Sequence, residues 1–126
     1  MNVIDSSAWL EYFADGPNAD YFAPPIEAVR ERIVPTITIL EVCKRLLQQR
    51  GAAEAYQAAA AMRQSTVVSL DADLAIHAAH LGHELGLPLA DSVILATARL
   101  HDAVLWTQDA DFAGHEGVRY RAPRAS

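Results

Sequence analysis

Short apolar runs recur along the chain, and each early run is followed by a longer stretch in which apolar residues return with helical periodicity. The runs predict strands at Asn2–Ile4, Ile33–Thr36, Thr66–Leu70 and Ala103–Thr107, with a weaker fifth candidate at Val118–Tyr120. Helices are predicted from Ser6 or Ser7 to Phe13, from Thr36 or Thr38 to Gly51, and over Ala52–Gln64, Ala72–Leu85 and Ala90–His101, while Pro24-Pro25 opens a further segment toward Arg32. Strands that alternate with helices of about 10–15 residues indicate an α/β fold with a mainly parallel sheet of about four or five strands flanked by helices.

Length and composition narrow the class of protein. A chain of 126 residues has the usual size of one domain, so a single domain over residues 1–126 is expected. Hydrophobic residues make up 52% of the chain and charged residues 21%, which excludes intrinsic disorder. The net charge of −6 argues against attachment to nucleic acid or membrane by bulk charge. It leaves open a nucleic-acid enzyme whose acidic site is neutralised by metal.

The single cysteine and the length of the apolar runs bear on location. Cys43 is the only cysteine, so the chain can form neither an internal disulfide nor a cysteine-based zinc site, and a reducing cytoplasm is expected. No run reaches the roughly 18 apolar residues that a membrane span needs, so no membrane partner is expected. Small side chains over Ala52–Met62 leave an apolar helical stripe that needs a cover, which predicts a symmetric homodimer.

Several carboxylates fall where a parallel sheet gathers its ligands. Asp5 follows the first predicted strand, and Asp109 follows the fourth with one residue between. Asp91 lies in the first turn of the last predicted helix, and Glu41 lies one or two turns into the helix after the second strand. Ligands of open α/β sheets bind outside the carboxyl ends of the strands, so these four side chains can converge on one rim. Asp111, two residues past Asp109, is a fifth candidate.

Carboxylates that converge in this way favour a hard divalent cation, because their mutual repulsion would otherwise drive one or more of them to protonate. Mg²⁺ binds through a few carboxylates, waters and substrate phosphate oxygens. A cluster of Asp and Glu without cysteine or paired histidine favours Mg²⁺ or Mn²⁺ over zinc. The chemistry that such a site supports best is metal-assisted hydrolysis of a phosphodiester.

Each carboxylate also has a purely structural interpretation. An Asp after a strand often caps a helix, the helix dipole alone favours Asp91 in a first turn, and Glu41 can pair with Lys44 or Arg45 at helical spacing. Two other functions therefore stay open: a non-catalytic interaction module, and a receiver-like or phosphatase-like domain that uses one Asp as nucleophile in phosphotransfer. The second expects an Asp-x-Asp after the first strand or a lysine after a late one, and the sequence has neither.

Four segments resemble, in order, the acidic motifs of the PIN domain family. Residues 5–9 (DSSAW) resemble the opening motif, and residues 38–41 (TILE) resemble the second. Residues 89–98 (LADSVILATA) are similar to the third, in which an Asp opens an apolar helix, and residues 107–112 (TQDADF) are similar to the fourth. The order, the spacing and the overall length are similar to those of small VapC-type toxins of bacterial toxin–antitoxin pairs, and the resemblance spans nearly the whole chain.

This resemblance implies a fold, an activity and partners. The implied fold is a three-layer PIN-like α/β domain, and the implied activity is a Mg²⁺- or Mn²⁺-dependent ribonuclease that forms a homodimer and is inhibited by a cognate antitoxin protein. The implied metal-binding and catalytic residues are Asp5, Glu41, Asp91 and Asp109. The implied supporting residues are Ser6 and Thr107, which would orient carboxylates or water, and Asp111, which would contribute to the site or brace its loop. Gln108 stands where the family commonly has Arg or Lys.

Basic residues gather at one place in this acidic chain. Arg119, Arg121 and Arg124 alternate near the C-terminus, and Lys44 is the only lysine. The favoured interpretation of the three arginines is a solvated edge strand and tail. The alternative is a strip that meets RNA phosphates or an acidic face of a partner.

Overall fold

A parallel sheet of five strands runs through the centre of the computed structural model, which describes residues 1–125. The strands are β1 (Asn2–Ile4), β2 (Arg32–Pro35), β3 (Thr66–Val68), β4 (Val104–Thr107) and β5 (Val118–Tyr120), and they lie in the order β3-β2-β1-β4-β5. The helices are α1 (Ser6–Phe13), α2 (Ala19–Glu27), α3 (Thr36–Gln49), α4 (Ala52–Arg63), α5 (Ala72–Leu85) and α6 (Leu89–Leu100). Short 3₁₀ turns occupy Val29–Glu31 and Ala110–Phe112.

Helices cover both faces of the sheet, because successive side chains of a buried strand point to opposite faces. Ile4 packs with Phe22 in a core that α1, α2, α3 and α4 build on one face. Val3 and Leu105 pack with Ile94 of α6 on the other face, and α5 lies against α6 there. The result is a three-layer α/β arrangement, and the fold class expected from the sequence is confirmed.

The predicted elements agree with the structure apart from one segment and a few end residues. β1, α5 and β5 begin and end where the sequence predicts. β2 is shifted one residue toward the N-terminus, and β3 ends at Val68, two residues before the expected Leu70.

The expected segment that opens at Pro24-Pro25 is wrong. Both prolines lie inside α2, which begins five residues earlier at Ala19. A proline inside a helix removes a backbone hydrogen bond, but Phe22 and Ile26 are almost fully buried on the inner face of this short helix and offset that loss. Arg32, expected at the far end of the segment, is the first residue of β2.

The strand order places a crevice between β1 and β4. From β1 the chain builds β2 and β3 on one side of the sheet, and then β4 and β5 on the other. The connections that leave the carboxyl ends of β1 and β4 therefore diverge, which is the point where open α/β sheets bind their ligands. Asp5 directly follows β1, and Thr107 is the last residue of β4. Within the described residues, no helix has the length and apolar character to cross a membrane.

Candidate active site

Asp5 lies at the carboxyl end of β1, and its backbone makes hydrogen bonds both to the sheet and to α1. Its N–H donates to the Trp106 carbonyl at 2.9 Å, and its carbonyl accepts the first hydrogen bonds of α1. The side chain is 2% exposed and is turned toward two hydroxyls instead of the α1 backbone. Oδ2 accepts a hydrogen bond from Ser7 Oγ at 2.7 Å and another from Thr107 Oγ1 at 2.9 Å. The interpretation of Asp5 as a simple side-chain cap is therefore wrong.

The same two hydroxyls fix the loop that follows β4. Thr107 Oγ1 accepts the N–H of Asp109 at 2.8 Å, and Ser7 Oγ accepts the N–H of Gln108 at 3.0 Å. Each hydroxyl thus donates to the Asp5 carboxylate and accepts from the β4 loop. A hydroxyl that donates one hydrogen bond and accepts another is held in one orientation. The positions of Asp5 and Asp109 are therefore coupled.

Three carboxylates meet where the loop after β4 approaches the start of α6. One oxygen each from Asp91, Asp109 and Asp111 lies within 4.8 Å of the other two. Asp109 Oδ1 accepts the N–H of Asp111 at 2.9 Å, which starts the 3₁₀ turn, and Phe112 anchors that turn in the core. Asp91 is 9% exposed in the first turn of α6. The β4 loop and the start of α6 therefore bring their negative charges together.

Glu41 extends the cluster from α3. Its Oε1 is buried and has no hydrogen-bond partner among residues 1–125. The proposed pairing with Lys44 or Arg45 does not form, since Arg50–Glu54 at 3.4 Å is the only ion pair in the described part of the chain. A buried carboxylate oxygen without a donor is costly, so its surroundings fit a ligand that supplies positive charge.

Three carboxyl groups of the site, those of Asp5, Glu41 and Asp91, have raised pKa values. Burial and then the charges of Asp109, Asp5 and Asp111 raise the pKa of Asp91 from 3.8 to about 8. Burial is also the main cause that raises the pKa of Asp5 and of Glu41, and the charge of Asp109 adds to both. Five carboxylates therefore act on one another, and at neutral pH the metal-free cluster retains a proton.

These residues fit a hard divalent cation. The donors are carboxylate oxygens, as Mg²⁺ and Mn²⁺ prefer, and the orphaned Oε1 of Glu41 would gain a partner. A cation would also offset the repulsion that, together with burial, raises the Asp91 pKa to about 8. Asp91, Asp109 and Asp111 lie together, and Asp5 and Glu41 are near enough for their pKa values to respond to the charge of Asp109; the roles of all five remain predictions.

Sequence reasoning assigned the supporting role to Ser6 and overlooked Ser7. The Ser6 hydroxyl is 3.5 Å from Asp5 Oδ1, at the limit of a hydrogen bond, whereas Ser7 makes the short contact to Oδ2. No sequence signal distinguishes the two serines, because the choice depends on the distance between α1 and the β4 loop. Thr107 lies where the sequence predicts and contacts both Asp5 and Asp109.

Ser7→Ala is expected to lower activity and Mn²⁺ affinity together, by about 10- to 100-fold, because Asp5 and the Gln108 amide both lose a partner. We expect unfolding to become easier by only about 1 kcal/mol. Calorimetric Mn²⁺ titration, a cleavage assay and thermal melting check these values. The matched control is Ser69→Ala, which removes an exposed hydroxyl outside the carboxylate cluster, and a loss of Mn²⁺ affinity there as large as in Ser7→Ala would contradict the assignment.

Comparisons with known proteins agree with this geometry. A model of the PIN domain matches residues 3–117. A toxin–antitoxin complex from Klebsiella pneumoniae contains a chain that is 26% identical, with a TM-score of 0.79 over 94% of this chain and 96% of that one. VapC20 from Mycobacterium tuberculosis, a toxin that cleaves the sarcin–ricin loop, is 21% identical, with a TM-score of 0.77 over 94% of this chain and 99% of that one.

A third similar structure is a DNA-bound VapBC from Salmonella typhimurium, 15% identical, with a TM-score of 0.70 over 96% of each chain. At 21% and 15% identity, the last two structures show a shared fold. No curated protein sequence matches the chain. Because the PIN model spans β2, β3, β4, nearly all of β1 and all four acidic motifs, the chain belongs to the PIN domain family.

Proposed function

We propose that this PIN domain is a metal-dependent endoribonuclease that acts as the toxin of a toxin–antitoxin pair. The observation that carries the proposal is the meeting of three carboxylates at the β1–β4 crevice, where Asp91, Asp109 and Asp111 place oxygens within 4.8 Å of one another and interact electrostatically with Asp5 and Glu41. The similar chain from Klebsiella pneumoniae, found in a toxin–antitoxin complex, supports the biological role. Substrate RNA and a cognate antitoxin are the partners this role requires, and a cytoplasmic location follows from it.

The roles of the residues follow from their contacts. A divalent cation, when bound, would polarise the scissile phosphate and make water more acidic. Asp5, Glu41, Asp91 and Asp109 would hold that cation, with Asp111 beside them at the rim. Ser7 and Thr107 keep the Asp5 carboxylate in one orientation, so that its charge is already placed before substrate arrives.

Hydrolysis also needs a proton acceptor. Water forms a new bond to phosphorus, and its proton passes to a nearby carboxylate. The bond from phosphorus to the departing ribose oxygen breaks, and that oxygen takes a proton from solvent to become a hydroxyl. The acceptor is a carboxylate of the cluster that does not use the same oxygen to hold the cation.

Incubation of the full chain with structured and unstructured RNAs, including a sarcin–ricin loop, tests the proposal. We expect cleavage that requires Mg²⁺ or Mn²⁺ and stops in a chelator. An interaction module would cleave none of the RNAs and would show no metal-linked rise in melting temperature, whereas a folded metal site gives one. Cleavage at full rate in the chelator would contradict the proposed metal dependence.

A homodimer is the further assembly that we propose, although its surface differs from the one expected. Ala55, Ala58 and Met62 of α4 already pack in the core with Val42 and Leu46 of α3, so the stripe over Ala52–Met62 has a cover within the subunit. An apolar groove of about 550 Å³ lies instead between α5 and α6. It is bordered by exposed apolar side chains, chiefly Leu70 and Leu89, the latter 89% exposed.

The wild-type protein is expected to sediment at micromolar concentration with twice its 13.7 kDa mass. Leu89→Arg places a charge at the α5–α6 groove and should give the monomer mass. Leu47→Arg, at an exposed position of α3 outside that groove, should leave the mass unchanged. A wild-type protein that is monomeric under these conditions would rule out the dimer.

A further inference from the structure

Four side chains form a row beside the edge of the sheet, which we call the arginine–aromatic stack: two rings, with planes 60° apart, lie between two guanidinium groups. The guanidinium of Arg119 lies over the Trp106 ring at 5.1 Å, and the Trp106 and Tyr21 ring centroids are 5.5 Å apart. The guanidinium of Arg121 lies over the Tyr21 ring at 4.1 Å. Both arginines are exposed, and both rings are half-buried. The stack therefore offers two planar cations to solvent on a fixed aromatic base.

The backbone explains why this stack forms. Arg119 and Arg121 are two residues apart at β5, so their side chains share one face of the sheet, while Val118 packs on the opposite face. The parallel register sets Trp106 beside Arg119. Trp106 is itself fixed, because its Nε1 donates to Asn2 Oδ1 at 2.9 Å. A guanidinium held on an aromatic ring is already ordered, so it loses less conformational entropy when it binds a ligand.

Hydrogen bonds attach the stack to the rim of the acidic cluster. The N–H of Arg121 donates to the Thr107 carbonyl at 3.0 Å, and the hydroxyl of the same Thr107 donates to Asp5. Asn18, 1% exposed, donates from Nδ2 to the Ala122 carbonyl at 2.9 Å and to Gln108 Oε1 at 2.6 Å. The segment that carries Arg121 thus lies next to the residues that position the candidate catalytic carboxylates.

Within residues 1–125, no ion pair neutralises the charge of the stack. Arg50–Glu54 is the only ion pair among residues 1–125, so neither Arg119 nor Arg121 has a carboxylate within salt-bridge distance. The chain as a whole carries −6, and the candidate site adds five crowded carboxylates that repel a nucleic-acid backbone. Two ordered guanidinium groups beside that site supply the positive charge that a phosphodiester needs to approach.

We propose that the arginine–aromatic stack binds an unpaired segment of RNA next to the phosphate that is cleaved. The N–H edges of the two guanidinium groups would hydrogen-bond phosphate oxygens, and their outer planes would stack on bases. The inference rests on the proposed ribonuclease function. A single strand fits better than a duplex, because only unpaired bases can lie flat on a guanidinium plane.

The test is the affinity of the full chain for a fluorescent single-stranded RNA, measured by anisotropy over a range of salt concentrations without divalent metal. Arg119→Gln with Arg121→Gln is expected to weaken binding at least about 10-fold and to reduce the salt slope by about 1.4, since each phosphate contact on a single strand contributes about 0.7. Arg119→Lys with Arg121→Lys should keep the salt slope but bind less tightly, because lysine lacks the planar group.

The matched control removes the same charge elsewhere. Arg30→Gln with Arg63→Gln changes two exposed arginines that precede β2 and β3, at the opposite edge of the sheet, and should bind RNA like the wild type. Equal weakening in both double variants would overturn the inference, because net charge alone would then explain it. Unchanged RNA affinity in the Arg119–Arg121 glutamine variant, with loss of oligoglutamate binding, would also overturn it and assign the stack to an acidic protein partner.

Binding and cleavage separate this inference from the proposed function. If wild-type protein binds RNA through the stack but cleaves none in Mg²⁺ or Mn²⁺, the RNA-binding role of the stack stands and the ribonuclease proposal fails. If wild-type protein cleaves RNA and the glutamine variant binds and cleaves it equally well, the ribonuclease proposal stands and the inference fails.

Discussion

Asp5→Asn is expected to lower RNA cleavage by about 100-fold or more while the fold persists. The amide oxygen of asparagine can keep both hydrogen bonds that Oδ2 accepts from Ser7 and Thr107. The amide nitrogen then replaces Oδ1, so the cluster loses a negative charge without losing the contacts that position the side chain. A cation would lose attraction or a ligand, and both metal binding and cleavage should fall.

The control for this substitution is Asp73→Asn. Asp73 is exposed in the first turn of α5, outside the carboxylate cluster, and its replacement should cost a few tenths of a kcal/mol of stability at most. Cleavage rates at limiting Mg²⁺ compare the two variants, and thermal melting confirms that both are folded. An Asp5→Asn protein as active as Asp73→Asn would show that the buried carboxylate has only a structural role.

Stability of the metal-free protein is expected to fall as pH rises toward 8, with Asp91 as the main cause. Its folded-state pKa of about 8 lies above the ordinary value of 3.8, so between these values the folded chain binds more protons than the unfolded chain. The stabilisation is complete below pH 3.8 and is lost as pH rises through 8. Asp91→Asn has no such proton to lose, so its melting temperature should depend less on pH.

Metal should reverse this trend. A cation binds the ionised carboxylates, so its stabilising effect should grow with pH and reach about 2.7 kcal/mol at 100 times its dissociation constant, or several °C in melting temperature. Melting curves at pH 5, 6, 7 and 8, with chelator or with Mn²⁺, measure both effects. A wild-type protein whose metal-free stability rises over this range, in parallel with Asp91→Asn, would contradict the raised pKa.

The fold could be predicted from the sequence because its signals are local. Apolar runs such as Asn2–Ile4 and Val118–Tyr120 alternate with helical stretches, and their bounds match the structure. The start of α2 could not be predicted in the same way, because the adjacent prolines favour a boundary and only tertiary burial of Phe22 and Ile26 keeps them inside a helix. Burial of that kind depends on residues distant in sequence.

In the candidate site too, the features that depend on local sequence could be predicted and those that depend on long-range contacts could not. Strand ends and first turns are visible in the sequence, and they identify Asp5, Asp91 and Asp109 as residues of one rim. The hydroxyl of Ser7 and the orphaned oxygen of Glu41 are not visible there, because each depends on the distance between α1 or α3 and the β4 loop. For the basic residues at β5, the sequence favours a solvated edge. Their stacking on Tyr21 could not be predicted, because it joins segments that are far apart in the chain.

The central claim is that the carboxylate cluster holds a divalent cation for RNA hydrolysis. Calorimetric titration of Mn²⁺ into the wild-type protein and into Asp91→Asn, with cleavage rates from the same preparations at limiting metal, tests it most directly. We predict saturable binding to the wild type at pH 8, and a fall of about 10-fold or more in both affinity and cleavage in the variant. An Asp91→Asn protein that binds Mn²⁺ as tightly as the wild type and cleaves RNA at the same rate would contradict the claim.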